Sequence, residues 1–280
     1  MTDGHRRRPS VADCLLVGHH WLAHRGGFIG QRLVDENSLA AFQQAYDHGI
    51  NHLETDLRLS RDHVLFCCHD ARLSRLAGIN QPIRAMTAAQ LAQLPLEHGQ
   101  GLSRFKEVIE ALPQAFFNVD LKAKGTPVAL AQLIDQRPEL ADRLLVTSFS
   151  SRRLAQFRRL VHYPVALGLP TLWVLWLLLS PLAGLGPRPP GQAIQLPASI
   201  RLSGRSINLL SPHLRRMAQR WGLSIDVWLG EPQQSPQALF DQGANGVFVD
   251  QLAGLPKPPM DPAGDSAISY SPQHCKEAHA

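Results

Sequence analysis

The most informative short pattern in this 280-residue sequence is Glu54-Thr55-Asp56, inside the run HLETDLRL. On a β-strand, side chains two apart point to the same face, so Glu54 and Asp56 project together from a leucine-rich strand. Two carboxylates held that closely repel each other unless a proton or a cation lies between them. Oxygen donors suit one hard divalent cation, Mg²⁺ or Ca²⁺. The plainer alternative turns one of the pair to solvent at the strand end. Asp120-Leu121-Lys122 repeats the spacing with opposite charges, after FFNV. Asp120 can supply a third carboxylate and Lys122 can hold a phosphate oxygen. A salt bridge within or between strands is the alternative.

Two histidines stand at the ends of apolar runs, in His24-Arg25-Gly26-Gly27 and in His69-Asp70. Imidazoles titrate near neutrality, so such a pair can act as general base and general acid. Arg25 can grip a phosphate with two parallel hydrogen bonds, and the glycines let the backbone approach a ligand closely. With 13 histidines in the chain, a structural role is the alternative for either one.

Short apolar runs alternating with helical patterns would carry these residues. Strands are expected at 21–24, 52–59, 63–69, 116–122, 143–149, 164–169, 206–210, 224–228 and 246–250. NSLAAFQQAYDHG reads as a helix capped by Asn37 or Ser38 and ended by Gly49. SPHLRRMAQRWG reads as another, with Ser211 capping, Pro212 in the first turn and Gly222 at the end. Such alternation implies parallel strands with helical crossovers, a (β/α)₈ barrel. Nine strands are one too many. The link between 52–59 and 63–69 is too short for a crossover, so those two form an accessory hairpin. Every candidate chemical residue then falls at a strand's C-terminal end, where such barrels place their sites.

The ordered series His24-Arg25-Gly26, Glu36-Asn37, Glu54-x-Asp56, His69-Asp70 and Asp120-x-Lys122 resembles the glycerophosphodiester phosphodiesterases. The likeness runs on through Ser148-Phe149, SIDVW ending in Trp228 and GVFVD ending in Asp250, and covers roughly residues 20–255. It implies a PLC-like phosphodiesterase barrel that hydrolyses glycerophosphodiesters to an alcohol and glycerol 3-phosphate through a cyclic phosphate. By that resemblance Glu54, Asp56 and Asp120 bind the metal, and His24 and His69 are the acid–base pair. Arg25 and Lys122 hold the phosphate, and Trp228 lines the substrate pocket. Three positions depart from the family: Asp120 where Glu is usual, Leu229 where Thr is usual, and the neighbours of Asp250.

Composition sets the outer bounds. With 44% hydrophobic and 18% charged residues the chain suits one globular unit of this length. We expect a flexible arm at 1–15, a barrel at 16–255 and a disordered tail at 256–280. A formal charge of +5 favours anionic partners, phosphate esters or an anionic membrane surface. No nucleic-acid module is present, so no nucleic-acid partner is expected. Four cysteines without a C-x-x-C pair fit neither a disulfide framework nor structural zinc, and suit a reducing compartment. The N-terminal residues lack an apolar stretch of signal-peptide length, which leads us to expect a cytoplasmic protein, with peripheral membrane association as a further option. Phosphate-cradling, dinucleotide and nucleophile-elbow motifs are missing from the sequence.

The oddest stretch is LWVLWLLLSPLAGLG at 172–186, within an apolar insertion at about 170–187 flanked by arginines. It is short for a bilayer span. A helix on a barrel loop at a membrane interface fits it best; a buried core helix and a span are the alternatives. The interface reading opens a second function, a lysophospholipase D-like enzyme on membrane lysophospholipids. A third, from another class, is a non-catalytic barrel that binds phosphate or membranes.

Overall fold

The computed structural model describes residues 10, 11, 15, 19–99, 101–229 and 235–255. Of the arm expected at 1–15 only three residues are described, and the tail expected at 256–280 lies outside the described residues. Strand β1 (His20–Phe28) is followed by α1 (Leu39–Asp47), β2 (His52–Leu59), β3 (Leu65–Cys67) and three short helices, α2 (Ser74–Ala77), α3 (Ala88–Ala92) and α4 (Phe105–Ala111). Next come β4 (Phe116–Leu121), α5 (Thr126–Gln136), β5 (Leu144–Thr147), α6 (Ser151–Leu160), β6 (Ala166–Leu167), α7 (Thr171–Leu179) and β7 (Ala193–Pro197). A hairpin of β8 (Ser199–Leu202) and β9 (Arg205–Asn208) precedes α8 (Pro212–Trp221), β10 (Ser224–Trp228), α9 (Pro236–Asp241) and β11 (Gly246–Gln251).

Eight parallel strands follow one another in the order β6-β5-β4-β2-β1-β11-β10-β7. A parallel bridge from Gly168 to Ala193 brings the two ends together, giving a nearly closed barrel with helical crossovers outside. The expected accessory hairpin is present: β3 runs antiparallel to β2, pairing Leu57 with Cys67 and Leu59 with Leu65. Both expected helices form with their expected caps. Ser38 Oγ accepts from Ala41 N at the start of α1, and Ser211 Oγ accepts from Leu214 N at the start of α8. Gly222 ends α8 in the left-handed region, at φ 59°.

One strand was misplaced. The sixth barrel strand is Ala193–Pro197, while the expected strand at 206–210 overlaps β9 of the exposed hairpin. AIQLP escaped notice because it is five residues long, interrupted by Gln195 and preceded by a Pro/Gly-rich turn. SINLL carries the better β-pattern, but burial and pairing decide strand membership, and among the described residues β9 pairs only with β8.

The main core lies between barrel and helices, where Phe42, Phe105 and Phe117 pack edge-on. A smaller core of Phe66, Cys68, Leu73, Ile83 and Leu91 supports the excursion after β3. Inside the barrel runs a polar layer. His20 stacks on His52 at 4.6 Å, Ser224 Oγ donates to Asp226 at 2.6 Å, and Gln195 Nε2 donates to Asn118 and Asp226. Val11 and Leu15 are buried against Phe116, Leu145, Ala166 and Ala193. Cys67 and Cys68 are free thiols, and burial pushes each up to about 12. Among the described residues no helix is long and apolar enough to cross a membrane. The apolar segment at 172–186 supplies the crossover from β6 to β7.

Candidate active site

Register brings the carboxylates together. β2 and β4 pair so that Asp56 lies opposite Asp120, and Glu54 stands two residues before Asp56 on the same face. All three side chains are buried. The Lys122 ammonium lies between two of them, 3.0 Å from Asp56 Oδ1 and 2.7 Å from Asp120 Oδ2. Lys122 is thus engaged by both carboxylates. Burial pushes Glu54 up to about 8, and the nearby Asp56 charge adds to the effect. Burial also holds Asp120 above the ordinary carboxylate range, against the opposing pull of Lys122.

Arg25 meets this cluster from β1. Its backbone N–H donates to Glu54 Oε2 at 3.0 Å, Nη1 donates to Glu36 at 3.1 Å, and Nε forms a 3.3 Å ion pair with Asp56 Oδ2. The backbone needed for this is unusual, with Arg25 at φ 53° and Gly26 at φ 86°. A Cβ on Gly26 would lie 2.7 Å from Ala41 Cβ and 2.9 Å from the Ala41 carbonyl carbon, so this turn requires glycine. Gly26→Ala is expected to cost about 1–3 kcal/mol of stability and to lower turnover by shifting Arg25. Urea unfolding and a glycerophosphocholine assay on the same preparation check both effects. Asn37, also left-handed at φ 59°, completes the corner: Nδ2 donates to Asp56 at 3.3 Å and Oδ1 accepts from Thr55 at 2.8 Å.

Each histidine is held by a carboxylate. His24 Nδ1 pairs with Asp250 Oδ1 at 2.8 Å, leaving Nε2 facing Glu54 at 3.9 Å. Burial alone would lower the His24 pKa, but the Asp250 hydrogen bond and the Glu54 and Asp250 charges hold it above 6.5. His69 Nδ1 pairs with Asp70 Oδ1 at 2.8 Å. An ionised carboxylate only accepts, so both rings carry the proton on Nδ1 and leave Nε2 for chemistry. Arg75 fixes the second unit: it donates to Asp70 at 2.7 Å and to Glu36 at 2.6 Å and 3.0 Å. Alternating charges therefore link His69 to the carboxylate cluster through Asp70, Arg75, Glu36 and Arg25.

Trp228 belongs to an aromatic wall beside this cluster. Its ring lies 6.1 Å from both Phe149 and Phe248, Phe248 lies edge-on to His24, and Lys122 stands 5.2 Å over Phe149. Sequence reasoning missed Arg75 entirely, and it saw Asp70 and Asp250 only as motif neighbours. A local clue existed for Asp70, which directly follows His69. None existed for Asp250, which is 226 residues from His24.

Among the described residues no three His, Cys, Asp or Glu side chains are already grouped as a metal cluster, and the Lys122 ammonium lies between Asp56 and Asp120. The donor chemistry still fits a hard divalent cation. Glu54, Asp56 and Asp120 are buried on two paired strands, Glu54 is proton-hungry, and Asp120 Oδ1 is a buried acceptor without a hydrogen-bond partner.

A model of the glycerophosphoryl diester phosphodiesterase family matches residues 24–253. A Mycobacterium tuberculosis protein, "probable glycerophosphodiester phosphodiesterase 2", is 30% identical over 259 residues, 90% of this chain and 94% of its own. A lysophospholipase D of Rattus norvegicus is 24% identical over 269 residues, 82% of each chain. In fold, the chain is similar to a glycerophosphoryl diester phosphodiesterase domain from Mycobacterium tuberculosis, with TM-score 0.68, 18% identity, and 84% of this chain and 96% of that one covered. A Thermotoga maritima glycerophosphodiester phosphodiesterase gives TM-score 0.62 at 21% identity, covering 83% and 94%.

Proposed function

The chain belongs to the glycerophosphoryl diester phosphodiesterase family and is a phosphodiesterase, and from that premise we propose a particular substrate class and mechanism. It hydrolyses glycerophosphodiesters to an alcohol and glycerol 3-phosphate. The observation that carries this reading is the juxtaposition of Glu54, Asp56 and Asp120 with Arg25, Lys122 and a histidine whose Nε2 faces Glu54. Arg25 and Lys122 bind the phosphate. The glycerol hydroxyl attacks phosphorus, one histidine takes its proton at Nε2 and the other protonates the departing alcohol. Water then opens the cyclic phosphate, with the two histidines exchanging roles. Glu54, Asp56 and Asp120 would hold one divalent cation, Mg²⁺ or Ca²⁺, which when bound neutralises charge developing on the phosphoryl oxygens. Trp228 and its aromatic neighbours shape the space for the leaving alcohol.

The purified protein is expected to release choline and glycerol 3-phosphate from glycerophosphocholine with Mg²⁺ or Ca²⁺, and to lose that activity in EDTA. Turnover undiminished in EDTA would remove the cation from the mechanism. Tight cation binding without turnover of any glycerophosphodiester would point to the non-catalytic barrel.

A second reading is supported by the exposed leucines of 172–186 and by the relative described as a lysophospholipase D. In that reading the protein contacts a membrane peripherally through this segment and takes lysophospholipids. Lysophosphatidic acid released from lysophosphatidylcholine, faster than choline from glycerophosphocholine, would favour it.

A further inference from the structure

Residues 143–225 contain eleven arginines and no Lys, Asp or Glu, so with a formal charge of +5 the other 197 residues sum to −6. Nine of those arginines are exposed: Arg152, Arg158 and Arg159 on or near α6, Arg188 in the turn before β7, Arg201 and Arg205 on the hairpin, and Arg215, Arg216 and Arg220 on α8. The same segment holds ten of the twelve large hydrophobic side chains that stand exposed among the described residues. This segment of the barrel wall is therefore both cationic and greasy, and lacks any acid of its own.

The apolar residues are organised. On α7, Val174 and Leu177 are buried while Leu172, Leu175 and Leu179 point outward, with Leu182 and Leu185 continuing the strip. Leu172, Leu179 and Leu185 are 73%, 77% and 82% exposed. A barrel helix ordinarily turns polar residues outward; α7 has only Thr171, in its first turn, and otherwise presents leucines there. The turn after α7 packs on α8, where Trp221 Nε1 donates to Ala183 O and the Arg220 side chain lies against Gly184. Apolar strip and Arg220 are thus neighbours. The hairpin repeats the theme. Ser203 and Gly204, both at positive φ, make its two-residue turn. Register puts Ile200, Leu202 and Ile207 on one face together with Arg205. The hairpin springs from the barrel mouth, where Ala198 N donates to Trp228 O.

We propose that this flank docks on an anionic lipid bilayer, with the leucines of α7 and the apolar face of the hairpin entering the headgroup boundary and the arginines meeting lipid phosphates. The proposal deepens the membrane part of the functional reading and rests on it. Charge complementarity selects the partner: an exposed apolar strip in a segment with nine exposed arginines and no carboxylate of its own matches an anionic surface. A second copy in a two-fold dimer would set arginines against arginines. Nucleic acid would leave the leucines without a role.

Co-sedimentation of the full chain tests this with two vesicle types, phosphatidylcholine alone and phosphatidylcholine mixed equally with phosphatidylglycerol. Binding is expected only to the anionic vesicles, and should weaken as salt rises. A Leu172→Ser/Leu175→Ser/Leu179→Ser variant should bind at least about tenfold less. An Arg158→Glu/Arg159→Glu variant should lose about fivefold or more per arginine. Both should turn over soluble glycerophosphocholine at the wild-type rate, which shows them folded and tests the phosphodiesterase reading separately. Equal sedimentation of wild type with the two vesicle types, or wild-type binding by both variants, overturns the proposal. So does a lipid-free dimer that the leucine variant dissociates, or duplex DNA binding that outcompetes the vesicles.

Discussion

His24→Ala is expected to lower kcat on glycerophosphocholine by about 10²- to 10⁴-fold, the usual worth of a positioned proton-transfer group. His24 is one-third exposed and its one carboxylate hydrogen bond is to the partly exposed Asp250. Its loss should therefore leave thermal stability near wild type, separating catalysis from folding. His69→Ala should cost a similar factor, because Asp70 holds that ring in the same way. The pH profile supplies a sharper check. Asp250 and Glu54 raise the His24 pKa above 6.5 against the effect of burial. Asp250→Asn removes a charge and a charge-assisted hydrogen bond, so the limb of the kcat/KM profile belonging to His24 should move to lower pH. A profile that stays in place, or near-wild-type turnover by either alanine variant, sinks the acid–base assignment.

Glu54→Gln is expected to reduce turnover by about 10²-fold or more, since it removes one of the three carboxylates proposed to hold the cation. The same substitution should change stability with the opposite sign. Glu54 titrates at about 8 in the folded protein because burial, and then Asp56, disfavour its charge. A folded pKa above the unfolded one means that stability is fully present at low pH and is lost as pH rises through the folded value. In EDTA the wild type should thus lose on the order of a few kcal/mol between about pH 5 and pH 9. His24, whose pKa is also raised, adds to the loss in the same direction. Glu54→Gln should flatten this slope and melt higher than wild type at pH 9 in EDTA. Added Mg²⁺ or Ca²⁺ should restore the wild type and do little for the variant. An equally steep slope in both proteins would refute Glu54 as the proton-hungry member of the cluster.

Much of this site is readable in one dimension. Glu54 and Asp56 share a face because strand geometry alternates side chains, and that needs no knowledge of neighbours. The caps at Ser38 and Ser211 and the stop at Gly222 are likewise local. Even the acid-free stretch 143–225 is visible as composition.

Distant pairing is a different matter. Asp56 stands beside Asp120 only because β2 and β4 pair in that register, and a one-residue slip would turn one of them away. His24 meets Asp250 because β1 and β11 are neighbours in the closed barrel. Arg75 reaches Glu36 only through the fold of the excursion after β3. AIQLP became a barrel strand, and SINLL did not, through which neighbours each could pair with and bury against. Short-range stereochemistry by itself determined the chemical groups, their faces and the fold class. Tertiary structure decided the partners, because register, barrel closure and burial are properties of the whole chain that no local window contains.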